Sequence, residues 1–399
     1  GGNLVFSDSK SGMIYEYDRE TSETKPVLRW EDINYYGSSF QNVIRLSPDR
    51  LLAEYWDNDT QALFLLNKTS VDQLPQREIV VLASLSPTDE LRESVVEFNR
   101  NSSQYHVIIE TYGTGLYMSE GEPRLDATLV SSTPPDLLDI HDVYKYAERN
   151  ALEDLSPYLE SSSLVPLDDY LEPILDGYTI NGKTVCVPTQ FSIFLVAGRA
   201  SQLDAMGLKD GWTMEDVYAL TEKYPDHIIL HTLTDMGAED KSYILERFCS
   251  VYFLEKYVDL ESGTCNFDSD GFRQMLTWVN EHSGKPVEIP PDPATGAIFV
   301  NNVFMPEDAL LSIAAFSDFK ESLVIEEYQF KEEIRLLGMP TADGRNQGFT
   351  ATRDTLGITS NARNKNGAWA FLEYFLSKNK VRTMGGYLPT RKSQLDIMF

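Results

Sequence analysis

The stretch EIVVLAS, Glu78–Ser84, followed at once by SPTDELRESVVEFNR, constrains the fold more than any other part of this sequence. An unbroken apolar run of that length reads as a strand buried on both faces, the kind found in parallel sheets. Behind it, Leu91, Val95 and Phe98 recur at helical spacing and give one buried stripe. Ser86 is expected as the N-cap, with Pro87 in the first turn and Asp89 closing a capping box. HVIIETY is the next strand. PDLLDI is another, followed by the helix of VYKYAERN. Strand–helix alternation of this kind implies α/β architecture with a mostly parallel sheet under helices.

The texture before Glu78 is different. NLVFSD, GMIYEYD, KPVLRW, NVIRLS, RLLAEYW and ALFLLN are short β-type runs separated by turn residues, a meander of six strands. This small all-β region, residues 1–75, reads as a partial β-propeller or as a β extension on the main body, with TSVDQLPQRE as a linker. The middle of the chain is richer in helix. GWTMEDVYALTEKY starts at a Thr213 cap with Asp216 three residues on. SYILERFCSVYFLEKYV reads as a core helix, and Phe272, Met275, Leu276 and Val279 share one face of the next. ALLSIAAF and TLGITS are buried strands. Trp369, Leu372, Phe375 and Leu376 form the apolar side of a dense closing helix. Two α/β bodies joined by crossing segments fit this series better than one sheet.

Composition narrows the function classes. A chain of 399 residues with 42% hydrophobic side chains can bury more than one core. Its net charge of −28 repels phosphate backbones and anionic lipid, which argues against nucleic-acid partners. Cys186, Cys249 and Cys265 are an odd set without CxxC spacing, so neither a disulfide framework nor a zinc site follows. His227 and His231 in HIILH lack the HExxH form, and YGTGLYMSEGEP lacks a P-loop lysine. No GxSxG elbow occurs. No cofactor, metal or catalytic residue is assigned. Gly1-Gly2 leads straight into strand-like sequence and reads as a trimmed start.

Several phrases, in order, resemble the extracellular solute-binding proteins of ABC importers, in particular the carbohydrate-type family that includes maltose-binding proteins. They are PDLLDIHDVYKYAERNALEDLSPYL, NGKTVCVPTQFSIFLVAGRASQLDAMGL, GWTMEDVYAL, LLGMPTADGRN as a second crossing, and DTLGITSNARNKNGAWAFLEYFLS through MGGYLPTRKS. The resemblance spans Glu78 to about Ser393. It implies a two-lobed periplasmic-binding-protein-like fold with a hinge over residues 76–399. Lobe one would be about 76–190 and 338–378, lobe two about 191–337 and 379–399. It also implies a monomer that captures a small solute, a mono- or oligosaccharide, and hands it to an ABC transporter permease. Location would be extracellular or periplasmic, with membrane attachment only through a lipid-modified cysteine that this chain does not contain.

Ligands of such folds lie at the C-terminal ends of the sheet strands, between the lobes. Sugars need hydrogen-bonding groups around a ring face and aromatic planes against it. Strand-end position nominates Ser84, Ser86 and Thr88, then Asp139, His141 and Asp142 in DIHD. The hinge offers Gln190 and Phe191. Phe316 and Asp318 follow from AAFSDF, Phe349 and Arg353 from the late crossing, and Tyr387 from GGYLP. Two alternatives stay open: a carbohydrate-active enzyme, and a surface sensor or adaptor using the β region to hold a partner.

Overall fold

The computed structural model describes residues 3–8, 12–35, 40–56, 61–113, 118–232, 241–259, 262–282, 308–317, 325–378 and 387–398. Its frame is a nine-stranded sheet. In spatial order the main path runs Ile228–Thr232, Ala309–Phe316, Val187–Arg199, Phe349–Ile358, Leu137–Asp139, Glu78–Ser84, Tyr105–Thr111. Glu78–Ser84 pairs parallel with both of its neighbours, and Ile228–Thr232 pairs parallel with Ala309–Phe316. The middle is antiparallel. The expected mostly parallel sheet is therefore parallel only at its flanks, because two strands carry the chain across the centre in opposite directions.

Those two strands join the lobes. Val187–Arg199 is 13 residues long, and its partners change along its length. Its first half pairs with Phe349–Ile358, from Val187 opposite Leu356 to Phe194 opposite Phe349. Its second half pairs with Ala309–Phe316 and Ile334–Leu337. One hydrogen-bond ladder thus runs through both lobes, where separate sheets were expected.

Each lobe has its own core. The first gathers Val80, Leu82, Leu91, Val95, Phe98, Leu356, Phe371 and Phe375. The second gathers Val196, Trp212, Met214, Phe248, Trp278 and Leu311. Burial of each large side chain contributes about 1.5–3 kcal/mol before entropy is counted. Helix Asp89–Asn101 covers the first core with its Leu91, Val95 and Phe98 stripe. Its N-cap is Thr88, whose Oγ1 accepts from the Leu91 amide at 3.1 Å. Helix Met214–Lys223 carries the expected Thr213–Asp216 capping box. Helix Lys365–Ser377 docks so closely that a β-carbon on Gly367 would stand 2.6 Å from Val80 Cγ2. SYILERFCSVYFLEKYV is not one regular helix: a π-helical segment, Ile244–Phe248, leads into helix Ser250–Tyr257.

Two boundaries differ from the sequence-based expectation. Gly338–Thr341 stays with the second lobe, because the buried Trp212 indole donates to the Gly338 carbonyl at 2.7 Å and Thr341 N–H bonds the Trp212 carbonyl. The chain crosses later, in Phe349–Ile358. The terminal segment packs on the first lobe instead of the second. Leu388–Pro389 pairs with Gln190 and Phe191, and the buried Arg391 guanidinium needs Asp169 at 2.8 Å and the carbonyls of Leu164 and Leu376.

The N-terminal region forms two three-stranded antiparallel sheets. Leu4–Asp8, Met13–Tyr17 and Thr24–Arg29 make the first, and Phe40–Ser47, Arg50–Trp56 and Gln61–Asn67 the second. They share a small core in which Trp30 stacks on Phe40, ring centroids 3.6 Å apart. The unit is fastened to helix Asp89–Asn101 by a nearly buried Glu31–Arg92 ion pair at 3.0 Å. Arg100 donates to the Asn34 carbonyl at 2.7 Å and lies over the Tyr35 ring, and Arg29 donates to the Ile109 carbonyl.

Candidate functional site

A cavity of ≈ 230 Å³ opens at the C-terminal ends of Glu78–Ser84 and Leu137–Asp139, against Phe349–Ile358. Of the residues nominated by strand-end position, Ser86, Thr88, Asp139, His141 and Arg353 line it. The same geometry that ends the strands exposes backbone and side-chain polar groups there, as expected of open α/β sheets.

Ile140, Val143, Tyr178, Thr352, Asp354 and Thr355 complete the wall. Thr352 to Thr355 are consecutive, which regular strand alternation forbids. The cause is Asp354. Its φ is +49°, in the left-handed region, between Arg353 opposite Gln190 and Thr355 opposite Pro188. That local turn brings four neighbours to one surface. Asp354 Oδ1 accepts from the Thr88 hydroxyl at 2.7 Å, so the residue that caps the first helix also holds the kinked strand. Tyr178 OH bonds Thr352 Oγ1.

The charges are arranged in a graded way. Asp139 is buried, and Ser84, directly behind it, donates to its carboxylate at 2.6 Å. Desolvation raises the Asp139 pKa to about 6; the Ser84 hydroxyl and His141 oppose the rise, and the Asp354 carboxylate adds to it. Arg353 is half-exposed. It lies over the Tyr387 ring at 5.2 Å and reaches Glu90 at 3.5 Å. Acceptors, hydroxyls and a guanidinium braced on an aromatic ring thus converge on one small volume. Among the described residues no group of three or more His, Cys, Asp or Glu side chains is placed to hold a metal.

The other nominated residues go elsewhere. Ser84 is fully buried and serves Asp139 from behind. Asp142 caps helix Val143–Glu148, accepting from the Lys145 amide at 3.1 Å. Gln190 and Phe191 are buried within the crossing strand, Phe191 packed with Ile174 and Leu388. Phe316 is core, among Ala197, Ile325 and Phe330. Phe349 opens the late strand opposite Phe194. Asp318 lies outside the described residues. Ser86, expected as the helix cap, is freed for the cavity because Thr88 takes that role. Tyr178 and the run Thr352, Asp354, Thr355 escaped sequence reasoning. A polar TATRDT stretch leading into apolar LGI was the available signal for the latter.

Residues 93–396 match the family described as bacterial extracellular solute-binding protein. No curated protein matches the chain. Among solved structures, the sugar-binding protein MalE from Xanthomonas citri superposes with a TM-score of 0.52 at 20% identity, covering 80% of this chain and 81% of that one. Apo RafE from Streptococcus pneumoniae gives 0.50 at 14% identity, covering 80% and 83%. The cyclic α-maltosyl-1,6-maltose binding protein from Arthrobacter globiformis gives 0.50 at 16%, covering 80% and 81%. These likenesses establish the two-lobed fold. With the family match over most of its length, the chain belongs to the bacterial extracellular solute-binding proteins.

Proposed function

We propose that the cavity lined by Asp139, Thr88, Arg353 and Asp354 is the floor of a carbohydrate site, and that the protein delivers the bound sugar unaltered to an ABC transporter permease. The observation that carries the reading is the side-chain chemistry of that floor. Carboxylates and hydroxyls can take and give bonds around a polyol, while the Arg353–Tyr387 pair offers a flat surface for a ring face. The named sugar-binding neighbours support the ligand class. The domain plan is a β unit of about residues 1–75 followed by the solute-binding part from about 76. The protein would work on the extracellular side of the membrane, held there by a lipid anchor.

Titration calorimetry against a panel of mono- and oligosaccharides tests this. Saturable heat is expected for at least one sugar, weakened at least tenfold by Asp354→Ala. Silence across the panel would overturn the sugar assignment. No enzymatic role is proposed, because the matched family and the named fold neighbours are binding proteins. Incubation with the bound sugar should return it intact by mass spectrometry.

A further inference from the structure

The strand Gln61–Asn67, QALFLLN, is the outer strand of the second N-terminal sheet, and among the described residues no strand pairs with its free edge. It runs in unbroken register against Arg50–Trp56 over its whole length. It contains no charge, proline or glycine, in a chain with 62 acidic and 34 basic residues. Edges are normally blunted by charge, proline, bulges or cover, and three other outer strands of this molecule are. Thr24–Arg29 carries Lys25, Pro26 and a register shift. Phe40–Ser47 has two shifts, and Tyr105–Thr111 has its Ile109 carbonyl taken by Arg29. Gln61–Asn67 is also apolar on its solvent side, with Leu63 71% and Leu65 50% exposed. Leu65 lies in a row with Leu52 and the exposed Ile44 across all three strands.

We propose that this edge seats a second copy of the chain, the two Gln61–Asn67 strands pairing antiparallel about a two-fold axis at Phe64. In that register Gln61 faces Asn67, Ala62 faces Leu66, Leu63 faces Leu65, and Phe64 meets its own counterpart. Every pair matches in polarity. Two chains of net charge −28 repel each other in general, and this strand is a place where they meet without opposing like charges. The pairing continues the ladder already built from Phe40 to Asn67 into a six-stranded sheet. A contact built on one seven-residue edge strand belongs with the small, transient interfaces, so the dimer is weak and forms only at high protein concentration. It replaces the monomer expected from the sequence and leaves the cavity untouched.

Sedimentation velocity from about 1 µM to about 1 mM tests it. The expected result is a monomer–dimer equilibrium that strengthens with salt as the net repulsion is screened. Leu63→Lys should weaken association at least tenfold without moving the melting temperature, while Leu254→Lys, at an exposed apolar position elsewhere, leaves it unchanged. In a Cys265→Ser background, which removes the exposed native thiol, the pair Leu63→Cys with Leu65→Cys should oxidise to a covalent dimer. Leu63→Cys alone should not. A monomer at every concentration, a dimer indifferent to Leu63→Lys, or no cross-link from the double cysteine variant overturns the proposal.

Discussion

Asp139 holds its proton more tightly in the folded chain than in the unfolded one, and the sign of the consequence follows. Its folded pKa is about 6, against an ordinary value near 3.9. Between those values the folded state binds more protons, so stability falls as pH rises from about 4 to about 6 and stays lower above. Asp139→Asn keeps an acceptor for Ser84 and removes the buried charge. It should raise stability at pH 7 by about 1–3 kcal/mol and flatten the pH dependence of urea midpoints in that window. A sugar hydroxyl donating to the carboxylate favours the ionised form, so affinity should rise with pH through 6. Asp354 separates backbone from side chain. Asp354→Gly keeps the left-handed turn and loses the bond to Thr88; Asp354→Ala loses both. The alanine variant should therefore be less stable than the glycine variant by about 1 kcal/mol, measured by chemical denaturation. Residues such as Thr88 and Asp139 were legible because strand ends can be counted in sequence. The turn at Asp354 was not, since TRDT does not by itself fix a positive φ, and the Thr88 hydroxyl that bonds Asp354 lies 266 positions away.

At the scale of elements, helix Lys365–Ser377 shows how glycine can be needed for space rather than conformation. A methyl at position 367 would meet Val80, Asn364 and the Tyr105 ring within 2.8 Å. Gly367→Ala improves helix propensity yet should destabilise by about 1–3 kcal/mol through overpacking, visible as a lower urea midpoint. The stripe of this helix could be read from periodicity, and so could the capping box at Thr213. The start of helix Asp89–Asn101 could not. SPTD offers two caps around one proline, and the choice is settled by the tertiary bond from Thr88 to Asp354. The same limit explains Phe191 and Phe316, aromatics at suitable positions whose rings turn into cores.

For the molecule as a whole, the ordered phrases in the chain disclosed two lobes, but not that a single ladder serves both; pairing partners are a long-range property that local pattern does not encode. If the lobes close on a ligand by bending about the crossing strands, small-angle scattering should show the radius of gyration falling when the sugar is added. The N-terminal unit sits on the helix whose N-terminal end carries the Thr88 cap and Glu90. Burial raises the Glu31 pKa while Arg92 opposes the rise. Arg92→Ala leaves that carboxylate buried without its cation, and the expected cost is about 3 kcal/mol. Faster proteolysis between Lys68 and Arg77 would report the loosening.

The strand Val187–Arg199 exchanges neighbours at Ile193 and Phe194, where it touches both Phe349–Ile358 and Ala309–Phe316. Joint and wall are therefore one piece of polypeptide. Neither half can shed its share of that strand without stripping the other, so the solute-binding part should melt as a single unit, and any looseness gained at the joint is taken directly from the walls.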